Sequence, residues 1–140
     1  EIGSSLVGSE MCIRDRSAYE WILMSFEKNE IDEIRELLSE EVAEAFDAVV
    51  DQRVSQGLTI EAEFIGIREM KLVEATYSSN TKTAEISVSF VGEMTSVVKN
   101  SSGEIVEGDS KQIKRQKDTW TFSKDIKSSN PNWLLVATGE

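Results

Sequence analysis

The chain contains no histidine. That absence removes the side chain whose proton exchange sits nearest neutral pH, and with it histidine-based triads and most zinc sites. A single cysteine, Cys12, stands in the opening stretch, so residues 17–140 offer no disulfide, thiolate nucleophile or sulfur ligand. No apolar run approaches the roughly 20 residues that span a bilayer. Glycine-rich phosphate loops and the alternating-aspartate calcium loop are missing too. Much familiar chemistry is thereby excluded.

What is present begins oddly. "LVGSEMCIRDR" (6–16), read back into codons, spells the end of a transposase-type sequencing adaptor, and "EIGSSL" fits the same frame upstream. Residues 1–16 are therefore expected to be a non-native, adaptor-derived lead on an N-terminally truncated domain that occupies 17–140. A signal peptide would need an apolar core of about 7–15 residues, which this stretch does not offer. Setting it aside leaves 23 acidic and 13 basic side chains, a net charge of −10. Such a field repels nucleic acid and anionic lipid at long range. Nucleic acid is not an expected partner.

"SAYEWILMSFEKN" (17–29) places Tyr19, Ile22, Leu23 and Phe26 on one face of a helix. "IDEIRELL" (31–38) predicts a short amphipathic helix through Ile31, Ile34, Leu37 and Leu38. Ser39 suits the N-cap of a third helix, with Glu40 and Glu41 in its first turn. Its apolar stripe is expected to run through Val42, Ala45, Phe46, Val49 and Val50, with Gly57 as a left-handed cap.

Beyond Gly57 the period falls to two. "TAEISVSF" (83–90) alternates cleanly, with Ala84, Ile86, Val88 and Phe90 facing one way, as in a half-buried antiparallel strand. Residues 59–77 are β-rich but change phase, which predicts a bulge near Leu72. "SSNTK" (78–82), "NSSGE" (100–104) and "EGDS" (107–110) read as turns. A third strand is expected over about 112–124, and Asn130-Pro131 breaks the chain before a last strand, 133–138. Helices first and then four strands in meander order predict an α+β fold, N-terminal helices packed on a curved four-stranded antiparallel sheet. The expected core is Tyr19, Ile22, Phe26, Leu37, Phe46, Val49, Ile86, Val88, Phe90, Trp120, Phe122 and Leu135.

Candidate chemistry is sparse. Trp21, Phe46, Phe90, Trp120, Phe122 and Trp133 can line an apolar pocket under the helices, or they can simply pack the core, as aromatics commonly do. Lys111, Lys114, Arg115 and Lys117 form the one dense basic segment. It can meet an anionic headgroup or an acidic partner, or it can protect a strand edge from aggregation. Both strand parities are occupied, so these charges need not make one patch. Glu40, Glu44 and Asp47 share a helix face that reads as a solvated acidic surface, and no metal site is expected. Tyr19 or Tyr77 beside a buried carboxylate is the arrangement proton transfer at a carbonyl carbon would need, but no spacing singles out a pair. Asn100-Ser101-Ser102 matches a glycosylation acceptor only by a three-residue pattern.

The order of features in "YEWILMSFEKNEIDEIRELLSEEVAEAFDAVVDQRVSQG", "VEGD" (106–109) and "DTWTFSKDIKSSNPNWLLVATGE" resembles the Tim44-like domain family. That family comprises the C-terminal domain of the mitochondrial inner-membrane import motor adaptor and its alphaproteobacterial relatives. The resemblance covers 17–140, and its most telling parts are "TWTF" with "NPNWLLVAT" and "LLSEEV" leading into "FDAVVDQRVSQG". It implies a cone like that of nuclear transport factor two, helices closing over a curved sheet around an apolar cavity. It further implies a non-enzymatic adaptor or scaffold in protein transport, without a cofactor, at the matrix or cytoplasmic side of an inner membrane. Implied partners are membrane lipid, a membrane protein or a heat-shock chaperone. The rival class is a small-molecule isomerase or dehydratase, because the cone fold hosts such enzymes and fold does not fix function.

Overall fold

The computed structural model of the chain describes residues 16–127 and 133–139. Residues 1–15 and the Asn130-Pro131 break lie outside the described residues. Helix α1 covers 16–27, and two 3-10 turns follow at Ile31–Glu33 and Arg35–Leu37. Helix α2 runs Glu40–Ser55. The strands are β1 (Thr59–Ser78), β2 (Thr83–Lys99), β3 (Ile105–Asp125) and β4 (Leu134–Gly139), antiparallel and in chain order β1-β2-β3-β4. The expected α+β class and the curved, open four-stranded sheet are both present.

The predicted helix over 31–38 is instead the pair of 3-10 turns. Ile31 and Ile34 are buried all the same, because i to i+3 spacing eclipses side chains and points them one way, and Leu38 is buried in extended backbone beside the last strand. Chain reversal begins at Asn29, whose φ of 61° is left-handed. Helix α2 opens as expected: Ser39 Oγ accepts the Val42 N–H at 3.3 Å. The Ser39 N–H in turn donates to the Leu135 carbonyl at 2.9 Å, beside a parallel bridge between Leu38 and Leu135. That link stitches the helical half to the last strand. The buried stripe of α2 is Val42, Ala43 and Phe46, with Val50 half-buried, whereas Val49 is 39% exposed and leaves the predicted core. The helix is rotated so that its 42/46/50 row, one turn apart, meets the sheet. Gly57 does end it, at φ 68°.

The sheet is longer than the predicted strands. β1 shifts register three times, between Phe64 and Gly66, Ile67 and Glu69, and Leu72 and Glu74. Only the last bulge was expected from the phase change. "EGDS" is not a turn: Glu107, Gly108 and Asp109 pair with Val98, Val97 and Ser96 inside β3. Between the pairs Met94–Lys114 and Ser96–Asp109, Thr95 alone faces the run Ser110–Ile113, so β3 bulges outward there. Gly108 supplies the positive φ of 85° beside this bulge.

Helices cover the half of the sheet nearest β4. Tyr19, Ile22, Ile34, Phe46, Ile86, Val88, Phe90, Met94, Trp120, Phe122 and Leu135 form one buried cluster there, with Phe26 and Leu37 packed partly buried against it. A fully buried side chain of this size contributes about 1.5–3 kcal/mol. Aromatic contacts run through the cluster: Tyr19 stacks on Phe90 at 4.2 Å between centroids, and Trp120 lies 4.8 Å from Tyr19 and 6.4 Å from Phe122.

Candidate functional site

A polar network meets this aromatic core at Tyr19. Tyr19 Oη donates to Asp118 Oδ2 at 2.7 Å, and Gln116 Nε2 donates to the same oxygen at 3.1 Å. Asp118 pairs with Phe90 across the strands, so both side chains face the helices. Burial first, and then the neighbouring Asp118 carboxylate, push the Tyr19 hydroxyl far above its ordinary range. A phenol so held keeps its proton. Gly92 lies below it, where an added Cβ would stand 3.0 Å from the Tyr19 oxygen.

Beside this network, where the helices end and the sheet continues, lies a cleft of about 400 Å³. Leu58, Ile60 and Val98 supply its apolar surface, and Glu27, Arg53, Glu107 and Lys114 its charges. Burial raises the Glu27 carboxyl; Arg53 and Lys114 oppose that shift and Asp118 adds to it. Burial lowers the Arg53 guanidinium, against the pull of Glu27. Arg53 Nη1 donates to the Phe26 carbonyl at 2.8 Å and to Asn29 Oδ1 at 3.0 Å, and its guanidinium lies 4.5 Å from the centre of the Phe26 ring. One side chain thus closes the end of α1 against the end of α2. The arrangement suits an amphipathic guest, its apolar side on the sheet and its polar end among balanced charges.

The predicted pocket residues fall elsewhere. Phe90, Trp120 and Phe122 are packed solid in the core, Phe46 lies against Phe26 at 4.5 Å, and Trp133 is partly buried against the same cluster. Trp21 is 50% exposed, on the side of α1 away from the core. None of the six lines the cleft. The basic residues divide between the sheet faces: Lys114 pairs with buried Met94 and turns into the cleft, whereas Arg115 pairs with Glu93 on the other face, 3.4 Å away. Lys117 lies opposite Val91 on that same outer face, and Lys111 sits in the bulge.

Glu27 and Arg53 were missed although a signal existed. Glu27 lies one turn after Leu23, and Arg53 lies three residues after Val50, so each continues an apolar stripe with a charge. Asp118 carried no such mark, since its partner Tyr19 is 99 residues away.

The fold and site define a small α+β domain whose helices seal one half of a curved antiparallel meander and leave a mixed-polarity cleft over the other. Residues 14–140 match the Tim44-like domain, and the chain belongs to that family. The match begins inside the stretch that reads as adaptor. Among solved structures, the intermembrane space region of the chloroplast protein ARC6 is similar in fold. It shares 11% identity over 83% of this chain and 82% of that one, with a TM-score of 0.53. No curated protein sequence matches the chain. No helix among the described residues is long and apolar enough to cross a membrane.

Proposed function

We propose that residues 17–140 act as a non-enzymatic adaptor domain at a membrane-associated translocation assembly, and that residues 1–16 are a non-native lead. Family membership over 14–140 carries this reading. Its finer parts are the cone-like hollow, an inner-membrane setting, and lipid or a partner segment as the guest. A heat-shock chaperone is the family-implied partner. The cleft is the seat we assign to that guest: Leu58, Ile60 and Val98 would meet an acyl chain or apolar side chains, and Arg53 and Lys114 a polar end. A net charge of −10 makes unaided attachment to anionic lipid weak, and stable anchoring takes a second signal.

Native mass spectrometry of the purified chain tests the seat. A co-purifying amphipathic guest is expected, and it should be lost from Val98→Trp, which fills the cleft. A Val98→Trp protein that folds and keeps the same guest would overturn the assignment.

A second reading, an isomerase or dehydratase, rests on Glu27, a carboxyl raised by burial inside a cleft. Turnover of an enolisable ketone by the wild type, abolished in Glu27→Gln, would favour it over the adaptor.

A further inference from the structure

β3 is 21 residues long, yet β4 pairs only with its stretch Thr119–Ser123. On that side, among the described residues, no strand pairs with β3 from Ile105 to Asp118. Among the described residues, the lane in line with β4 is therefore unpaired. Its regular part is Lys114–Asp118, where pairing with β2 runs without a bulge from Met94 to Phe90. Open backbone of this kind is a template for an added strand.

We infer that this lane accepts an extended acidic segment of a partner protein, added as a fifth strand beside Lys114–Asp118. Charge chooses the occupant. Lys111, Lys114, Arg115 and Lys117 make the segment from Ser110 to Lys117 purely basic within an acidic chain. Arg115 and Lys117 project from the outer face, two residues apart, so an incoming strand that carries carboxylates at alternate positions meets both. Opposite them, Lys114, Gln116 and Asp118 present a mixed row toward the helices, which asks for polar residues of no fixed sign.

A second copy of the chain fits this lane badly. Two β3 edges brought together would set four positive charges against four, and like charges directly opposite are destabilising. Among the described residues the outer edge of β1 is unpaired, with Glu61, Glu63, Glu69 and Glu74 beside Arg68 and Lys71, but its three register shifts break the ladder a β3 edge would need. Joining β1 to β3 between copies would also be heterologous, the arrangement that builds open filaments. The same lysines that repel self-pairing thus leave the lane to a chain of opposite sign. This holds whether or not the cleft takes a guest.

Amide NMR of the labelled chain, titrated with a short synthetic peptide alternating glutamate and valine, tests the inference. Shifts and slowed amide exchange confined to Lys114–Asp118 and its bulge are expected, weakening as salt is raised. Lys117→Glu, an exposed position opposite Val91 whose change should leave the melting curve in place, should weaken binding about threefold, or about 0.7 kcal/mol. A lysine-valine peptide should leave the spectrum unmoved. The inference fails if the acidic peptide perturbs nothing, if the basic peptide binds equally, or if the shifts fall on Glu27 and Arg53 instead. It fails equally if β3 amides become protected without peptide as protein concentration rises, since a second copy would then hold the lane.

Discussion

The Tyr19 hydroxyl and the Asp118 carboxylate meet at 2.7 Å, joining α1 to β3 across 99 residues of chain. The bond sits at the junction between the sealed aromatic core and the open cleft. It ends the apolar layer with a satisfied polar pair.

Replacing Tyr19 by Phe keeps the ring stack on Phe90 but removes the donor. A loss of about 1.5–3 kcal/mol, the range for a hydrogen bond to a charged group, is expected by urea denaturation. The pH dependence has a definite sign. The folded hydroxyl titrates above its ordinary value of 10.0, so its contribution is complete below pH 10 and is lost as pH rises beyond it. Tyr19→Phe should show a shallower alkaline decline than the wild type.

Glu27→Gln should gain stability at neutral pH. Burial raises the folded carboxyl above its usual 4.5, so the folded state binds the proton more tightly and wild-type stability falls as pH climbs from 4.5 through the raised value. The variant has no such slope. Chemical denaturation from pH 4 to 8 should show the two curves meeting at the acid end and separating above it.

Trp21 and Trp120 should part company. Trp21→Ser, at a half-exposed position, is expected to change stability by within about 0.5 kcal/mol, whereas Trp120→Ala should cost about 3–5 kcal/mol. Fluorescence gives an independent check: acrylamide should quench Trp21 readily and Trp120 hardly at all.

Two glycines with positive φ should respond differently to alanine. A Cβ at Gly108 would overlap the Ser96 carbonyl oxygen, while one at Gly103 would meet nothing. Gly108→Ala should cost about 2–4 kcal/mol and Gly103→Ala about 1 kcal/mol, the second reflecting backbone conformation alone. Thermal melts of the pair measure the difference.

Local patterns carried much of this fold. The 19/22/23/26 face of α1, the Ser39 cap, the Gly57 stop and the alternation through Ile86, Val88 and Phe90 each follow from spacing alone. What escaped depended on distant partners. The phase change near Leu72 reported one β1 bulge, but the other two follow from how β1 wraps along β2. "EGDS" has turn chemistry, and its glycine does adopt the left-handed backbone, but pairing with Ser96–Val98 absorbs it into a strand. The helix expected over 31–38 gave way to 3-10 turns, whose spacing also buries Ile31 and Ile34. The site was harder still. Six aromatics suggested a pocket because size and polarity look alike in a cavity wall and a packed core. The cleft itself is marked by charges in apolar phase, Glu27 after Leu23 and Arg53 after Val50.

A meander in chain order has a kinetic corollary. Each long strand meets its neighbour across a reversal of only a few residues, so β1, β2 and β3 can zip in succession with little loop entropy lost. The costly closure comes at the ends: Ser39 must find Leu135, and Tyr19 must find Asp118, before either helix is held. Refolding should therefore pass its barrier when the last strand and the first helix arrive, and the β1-β2-β3 meander should already be in place to receive them.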